Sequence, residues 1–451
     1  MENQRVVRRA LWRWMGAVAA TSVGVAAGAC SPGAGSGGSG EPAKPAQAAP
    51  RHITVWWPYN DTNPSVRPAW DEFLKRHAGW TGDLTMQVNF EKYQASLAAG
   101  IVPDAYWSNF TSVQVAAYKT MFAPLDPYIA RDKIDLKQYY VGSVVGAQYK
   151  GKTYGLPHHS NVRSVYLQGN VLPEVGINPN QQPDAWSDFQ EANQRLKQTD
   201  AQGALDRIGY HPTWQLGGPA PVLYFQANGA PLLSKDEQQP GFDTPAGLEA
   251  LEWIADTVAA LGGYQALVAF QKKHKRTGFA LANSAAGMML AGVWSMANHT
   301  LNTEPNTPIT QWPMPGGPSA RGQEFGYVSG TSGVIPTAAP QPEAGWIFTR
   351  YQASPEGQRF IQEPANSWDQ ACIPSVANDP IVLQKQPWRK RANELLAQAR
   401  HPAYYPFPGS GDIHQAMNTA LTPLLEGTQG PDVTMQDMNQ QVQNVMNDFA
   451  G

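Results

Sequence analysis

Bond-breaking chemistry needs particular side chains at particular spacings, and this chain offers few of them. It contains no Gly-x-Ser-x-Gly elbow, no His-Glu-x-x-His pair and no phosphate-cradling glycine loop after a strand. What it carries instead is rings, with 15 Trp and 17 Tyr in a chain whose length already allows an adequate core. Some of those rings are therefore expected at the surface or in a cleft. One stretch stands out: Met288-Met289-Leu290 is a short apolar run, followed by Gly292 and then Trp294. The run has the length of a buried strand. Gly292 is expected to let the backbone turn out of it, with Trp294 just past the strand's end. Open α/β sheets bind ligands beyond the carboxyl ends of their strands. An indole there either stacks on a sugar ring or fills a hydrophobic hole.

The elements around that stretch begin after an export segment. Arg5, Arg8, Arg9 and Arg13 form a basic region, and the apolar, small-residue stretch that follows is too short and too rich in Gly and Ala for a stable spanning helix. Arg8-Arg9-Ala10-Leu11 resembles a twin-arginine signal. Ala27-Gly28-Ala29-Cys30 resembles a bacterial lipobox, with Ala27 where Leu is usual, and implies lipidation of Cys30. Residues 1–29 are thus expected to be removed. Residues 30–50 are expected to be a lipidated Cys and a Gly/Ser/Pro tether. Cys372 is then alone, so no disulfide is expected; lacking His or Cys at ligand spacing, it is no metal ligand either. No metal and no cofactor is expected. From residue 30 onward, 29 basic side chains face 35 acidic ones, a charge of −6 without basic runs. That excludes a nucleic-acid partner.

The body starts with a strand at 53–57, a helix at 64–76 with Val66, Trp70, Phe73 and Leu74 on one stripe, and an alternating strand at 84–90. A helix at 91–99 stopped by Gly100 and a strand at 103–109 complete a βαβ pattern, the mark of a parallel sheet. Trp186 and Trp253 fall on helical stripes and are expected in the core.

At this point the chain resembles the extracellular solute-binding proteins of ABC importers, in particular the sugar-binding, maltose-binding-protein-like group. Gly100-Ile101-Val102-Pro103-Asp104, Ala123-Pro124-Leu125-Asp126 and Gly151-Lys152-Thr153-Tyr154-Gly155-Leu156-Pro157 match family motifs in order. So do Pro183 to Phe189, Asn228-Gly229, Ala286 to Trp294, and Glu426-Gly427 with Pro431-Asp432. Where the family often has Tyr-Asn-Lys, this chain has Gln168-Gly169-Asn170. The resemblance implies an α/β, two-lobe periplasmic-binding-protein-like fold with a hinge and an inter-lobe ligand cleft. Lobe 1 is placed at 51–160 and 305–350, lobe 2 at 161–304 and 351–451. It implies a monomeric, extracytoplasmic, membrane-anchored lipoprotein that captures a carbohydrate by hinge closure and delivers it to permease subunits. A di- or oligosaccharide suits the many rings. Glycerol-3-phosphate or a glycerophosphodiester is the alternative ligand, with Arg163 the nearest cation for a phosphate. A secreted glycoside-acting enzyme is the rival class, but Asp61, Asp104 and Asp412 form no acid–base motif.

A sugar site needs aromatic platforms and polar groups that bond in pairs. Trp57, Tyr59, Asn60 and Asp61 follow the first strand; Trp56 and Trp57 point to opposite sides, and Trp57 is assigned to the cleft. Trp107 and Asn109 lie at the end of the third strand. His158, with His159 and Asn161, follows the crossover Pro157. Trp214 lies in a Gly/Pro-rich loop. Trp294 gains by analogy with the family's sugar platform. Tyr327 and Gly330 lie on a returning strand, where a glycine permits close backbone approach. Trp368 and the cluster Tyr404-Tyr405-Pro406-Phe407 are expected to close lobe 2 over the ligand.

Overall fold

The first strand, β1 (His52–Trp56), shows how the chain sorts its side chains. Ile53, Val55 and Trp57 face one apolar cluster with Trp70, Phe73 and Phe348, whereas Trp56 faces another with Tyr93, Tyr106 and Phe122. This is the alternation expected of a strand buried on both faces. The computed structural model describes residues 51–59, 65–213, 220–274, 284–295, 308–362 and 369–449. The export segment, Cys30 and the tether lie outside the described residues, as do Asn60, Asp61, Trp214 and Trp368.

Helix α1 (Val66–Arg76) lays Val66, Ala69, Trp70 and Phe73 on that first cluster. Strand β2 (Thr81–Thr85) ends earlier than the alternation at 84–90 predicts. The cause is local: Gln87 takes a positive φ of 62°, and the Asn89 side chain accepts from the Lys92 amide, capping α2 (Phe90–Ala98) at its start. A side-chain cap commits the chain to helix at this point and ends the strand that the alternation alone would continue. Gly100, at φ +76°, closes α2 in the left-handed conformation that glycine adopts without strain. Strand β3 (Ala105–Asn109) runs directly into α3 (Phe110–Tyr118).

The organising element is β4 (Gly155–Gln168), fourteen residues long and buried throughout. On it assemble β5 (Met288–Gly292), β6 (Ile309–Trp312), β7 (Tyr327–Val334) and the two-residue β8 (Gln370–Ala371), all antiparallel to β4. β9 (His401–Pro402) joins β7 in parallel. The nine-stranded sheet runs β6-β4-β7-β3-β1-β2, with β1 parallel to both β2 and β3. The first half of β4 pairs with β7 and through it reaches β3, β1 and β2; the second half pairs with β5 and β6.

Each face of β4 has its own core. Val165 and Leu167 of β4 join Met288 and Leu290 of β5 in a large cluster. That cluster includes residues of α4 (Trp186–Leu196), α5 (Ala220–Ala227) and α6 (Pro245–Ala260). Leu156, Val162 and Tyr166, on the other side, pack with Phe110, Trp346 of α7 (Pro342–Ala353), and residues 371–373. Leu395 and Leu396 of α8 (Arg389–Gln398) complete that second cluster. The C-terminal helices α9 (Ser410–Leu425) and α10 (Pro431–Asn447) cover the first. Residue 350, an expected lobe boundary, falls inside α7. Trp186 is buried as expected, and Trp312 proves to be core, its indole donating to the Pro179 carbonyl at 2.8 Å.

Candidate functional site

Where the two halves of β4 meet, its apolar pattern gives way to His158-His159-Ser160-Asn161 and Arg163, all buried. Opposite residues of a strand pair share a face, and β7 answers each alternate residue. Thr331 Oγ1 lies 3.0 Å from His159 Nδ1, and Ser329 donates to Asn161 Oδ1 at 2.6 Å. The register slips between Thr331 and Ser332, so His158 is the extra residue of a β-bulge. A bulge re-aims neighbouring side chains, and here both imidazoles come to lie near Trp57, with ring centroids 5.6 and 6.4 Å away.

The walls come from strand ends. From β3, Asn109 accepts a short hydrogen bond from the Tyr59 hydroxyl. Tyr59 remains 41% exposed as a residue, while its hydroxyl is turned onto Asn109. Burial of that hydroxyl and the nearby Asp369 raise its pKa, against the opposing pull of Asn109 and Arg163. Asp369, beside β8, meets His159 Nε2 at 3.2 Å. From β5, Trp294 stands two residues past Gly292, which itself pairs with Arg163. The strand expected over the Met288 run is found, and Trp294 is only partly buried. The role of Gly292 differs from the turn expected of it. Its φ is not positive; a Cβ there would lie 2.5 Å from Trp294 Nε1 and 2.9 Å from Asn161 Oδ1. What the glycine supplies is room for the indole. From α9 comes His414, whose Nε2 accepts from the Tyr405 amide at 3.1 Å.

The electrostatics follow from burial. Arg163 is pushed down to about 10 by desolvation, opposed by Tyr59. His414 falls to about 4, first through burial and then through the charge of Arg163. Burial also lowers His159, with Asp369 opposing, and holds His158 well below its ordinary value, helped by His159. The imidazoles are therefore neutral hydrogen-bonding groups near pH 7 rather than cations. His211, at the end of the Leu205–Arg207 strand, is likewise pushed down to about 3 by burial.

The other expected ligand residues take different places. Trp57 is fully buried and Trp107 nearly so, packed edge to face at 4.7 Å, with His158 5.3 Å from Trp107. Neither indole N–H has a hydrogen-bond partner among the described residues. Tyr327 is buried in the large core, donating to the Leu223 carbonyl at 2.7 Å. At Gly330 a Cβ would meet the His159 carbonyl at 2.3 Å and the Phe110 ring at 2.9 Å, so its smallness serves the packing of β4, β7 and α3. Tyr404 and Tyr405 are core residues as well, the latter bonded through its hydroxyl to Leu232 O. Cys372 is a free buried thiol, pushed up to about 12 by burial and 3.3 Å from Ser160 Oγ. The structure thus brings together Tyr59, Asn109, His158 and Trp294, and joins to them Asn161, Arg163, Ser329, Asp369 and His414. The period-2 spacing of His159, Asn161 and Arg163 was a usable signal; Asp369 and His414 arrive from distant segments with none. Among the described residues no group of three or more His, Cys, Asp or Glu could hold a metal. Two surface pockets lie away from this centre. One, of about 350 Å³, is beside Tyr139 and Tyr351; the other, of about 540 Å³, lies between α6 and the α9–α10 turn.

A long polar centre between two apolar cores, walled by strand ends, fits capture of a solute. The chain belongs to the bacterial extracellular solute-binding protein family, whose model matches residues 69–386. Membership makes it an extracytoplasmic binding protein rather than an enzyme. Its fold is the two-lobe α/β fold of solved sugar-binding proteins. CpMnBP1 with mannotriose bound aligns at a TM-score of 0.71 and 20% identity, covering 87% of this chain and 99% of that one. An ABC substrate-binding protein from Listeria monocytogenes in complex with cycloalternan gives 0.72 and 17%, over 88% and 99%. A cyclic α-maltosyl-1,6-maltose binding protein from Arthrobacter globiformis gives 0.69 and 18%, over 89% and 100%.

Proposed function

We propose that this protein captures a carbohydrate, a di- or oligosaccharide, at the polar centre of β4 and delivers it to the permease of an ABC importer. The observation that carries the reading is the convergence of a partly exposed indole, Trp294, with the buried amide, imidazole and guanidinium groups of Asn161, His159 and Arg163. A sugar offers an apolar face to the ring and hydroxyls to the polar row, and a buried polar group left without its partner costs about 1–3 kcal/mol, which makes such a site selective. Three of the solved structures of the same fold hold oligosaccharides by name or in complex, which supports the class of ligand. Capture proceeds by hinge closure: a ligand bonded to both lobes stabilises the closed state. The lobes are proposed to meet on β4 near residues 160–161. Cys30 anchors the protein to the membrane by its lipid, and residues 31–50 tether the body above it. The protein acts as a monomer.

Arg163 favours a second reading, glycerol-3-phosphate or a glycerophosphodiester, because a guanidinium at the centre of the site suits a phosphate. A thermal-shift screen separates the two. At 100 times its dissociation constant a ligand adds about 2.7 kcal/mol of stability. Maltotriose or mannotriose is expected to raise the melting temperature; a rise with glycerophosphodiesters and with no saccharide overturns the first reading in favour of the second.

A further inference from the structure

We infer that Gly292 is a positioning residue: by carrying no side chain, it seats the Trp294 indole against the end of β5 beside Asn161, so that ring and amide read one and the same sugar residue. The inference rests on the carbohydrate reading of the site. A Cβ at this position would lie 2.5 Å from Trp294 Nε1, 2.8 Å from its Cδ1 and 2.9 Å from Asn161 Oδ1, all closer than a real Cβ tolerates. The indole edge and the amide are therefore no more than about 5.4 Å apart, the two distances laid end to end. A single sugar residue touches both. Asn161 is 5% exposed, and its carbonyl is occupied by Ser329; its amide nitrogen has no hydrogen-bond partner among the described residues. A donor lies beside a flat ring, the pairing that a hydroxyl next to an apolar sugar face requires.

The same distances show why Gly292 is a usable handle. The atoms a methyl group would strike are side-chain atoms, and Gly292 is not in the left-handed region. Alanine should therefore displace the ring and leave the β4–β5 ladder intact. Gly330 is the opposite case, because the nearest atom there is a backbone carbonyl.

The test combines two readouts on the full chain. In protein labelled with 5-fluorotryptophan, the Trp294 resonance, assigned by its loss in Trp294→Phe, is expected to move in Gly292→Ala, with the melting temperature within about 2 °C of the parent. Calorimetric titration with maltotriose and with mannotriose is expected to show an affinity loss of about tenfold or more for Gly292→Ala. The same change made in a Trp294→Ala background is expected to add no further loss. An unmoved resonance, or an equal loss in both backgrounds, overturns the inference. If neither trisaccharide binds the parent protein, the carbohydrate reading fails, while the fluorine resonance still decides whether Gly292 seats the ring.

Discussion

Strands β1, β3 and β5 present the same ingredient, a tryptophan within or just past the strand, and treat it in opposite ways. Trp57 and Trp107 close on each other, on His158 and on Phe348, and almost nothing of them meets solvent. Trp294 lies over Gly292 beside Asn161, and stays partly open. Whether such a ring is sealed in or left partly open depends on what packs behind it. Trp57 has helix α1 and helix α7 behind it, and Trp294 ends a five-residue strand on a three-residue helix, Val293–Ser295.

Substituting the rings should separate these roles most sharply. Trp57→Ala is expected to cost about 3–5 kcal/mol of stability, the range for truncating a fully buried aromatic. Trp294→Ala should cost under about 1 kcal/mol, as for a partly exposed side chain. Equal losses in chemical denaturation would erase the distinction. The two glycines come next. Gly330→Ala is expected to destabilise by about 1–3 kcal/mol, since a backbone carbonyl must move, whereas Gly292→Ala should leave the denaturation midpoint nearly unchanged.

The histidines give a pH dependence of comparable size. His414 and His211 have folded pKa values near 4 and 3, below the ordinary 6.5. The unfolded chain therefore binds protons that the folded chain refuses. Their stabilisation is complete above about pH 6.5 and is lost as the pH falls through that value towards 4 and 3. At pH 5 the loss approaches about 2 kcal/mol per fully shifted histidine. Melting temperature measured from pH 7.5 to 5 should fall, and His414→Gln should flatten the slope; a flat parent profile would contradict the assigned burial. Ser329→Ala is expected to cost about 1 kcal/mol for one hydrogen bond to Asn161, with a weaker grip on saccharide measured by titration.

Much of the fold was legible because it is written in periodicity. The alternation of Ile53, Val55 and Trp57 and the apolar run before Gly292 predicted strands that are present. The second strand was misplaced because Asn89 caps a helix, a local bond that alternation does not reveal. In the candidate centre, Tyr59, Asn109 and Trp294 are suggested by strand ends and His158 by the crossover Pro157. Tyr327, assigned to the ligand site from its glycine-rich returning strand, is buried instead, because the Leu223 carbonyl holds its hydroxyl in the core, a contact that no local pattern reveals. Asp369 and His414 were invisible for the converse reason: only the folded sheet brings β8 and α9 to β4.

The central claim, that Trp294 and the polar row of β4 bind a saccharide, is most directly tested by titrating the parent protein and Trp294→Ala with the same trisaccharide in a calorimeter. Saturable binding by the parent is expected, with an affinity about 100-fold weaker in the variant, about 2.7 kcal/mol, at a nearly unchanged melting temperature. Equal affinities in the two proteins, or a variant that loses binding only because it has lost its fold, would contradict it.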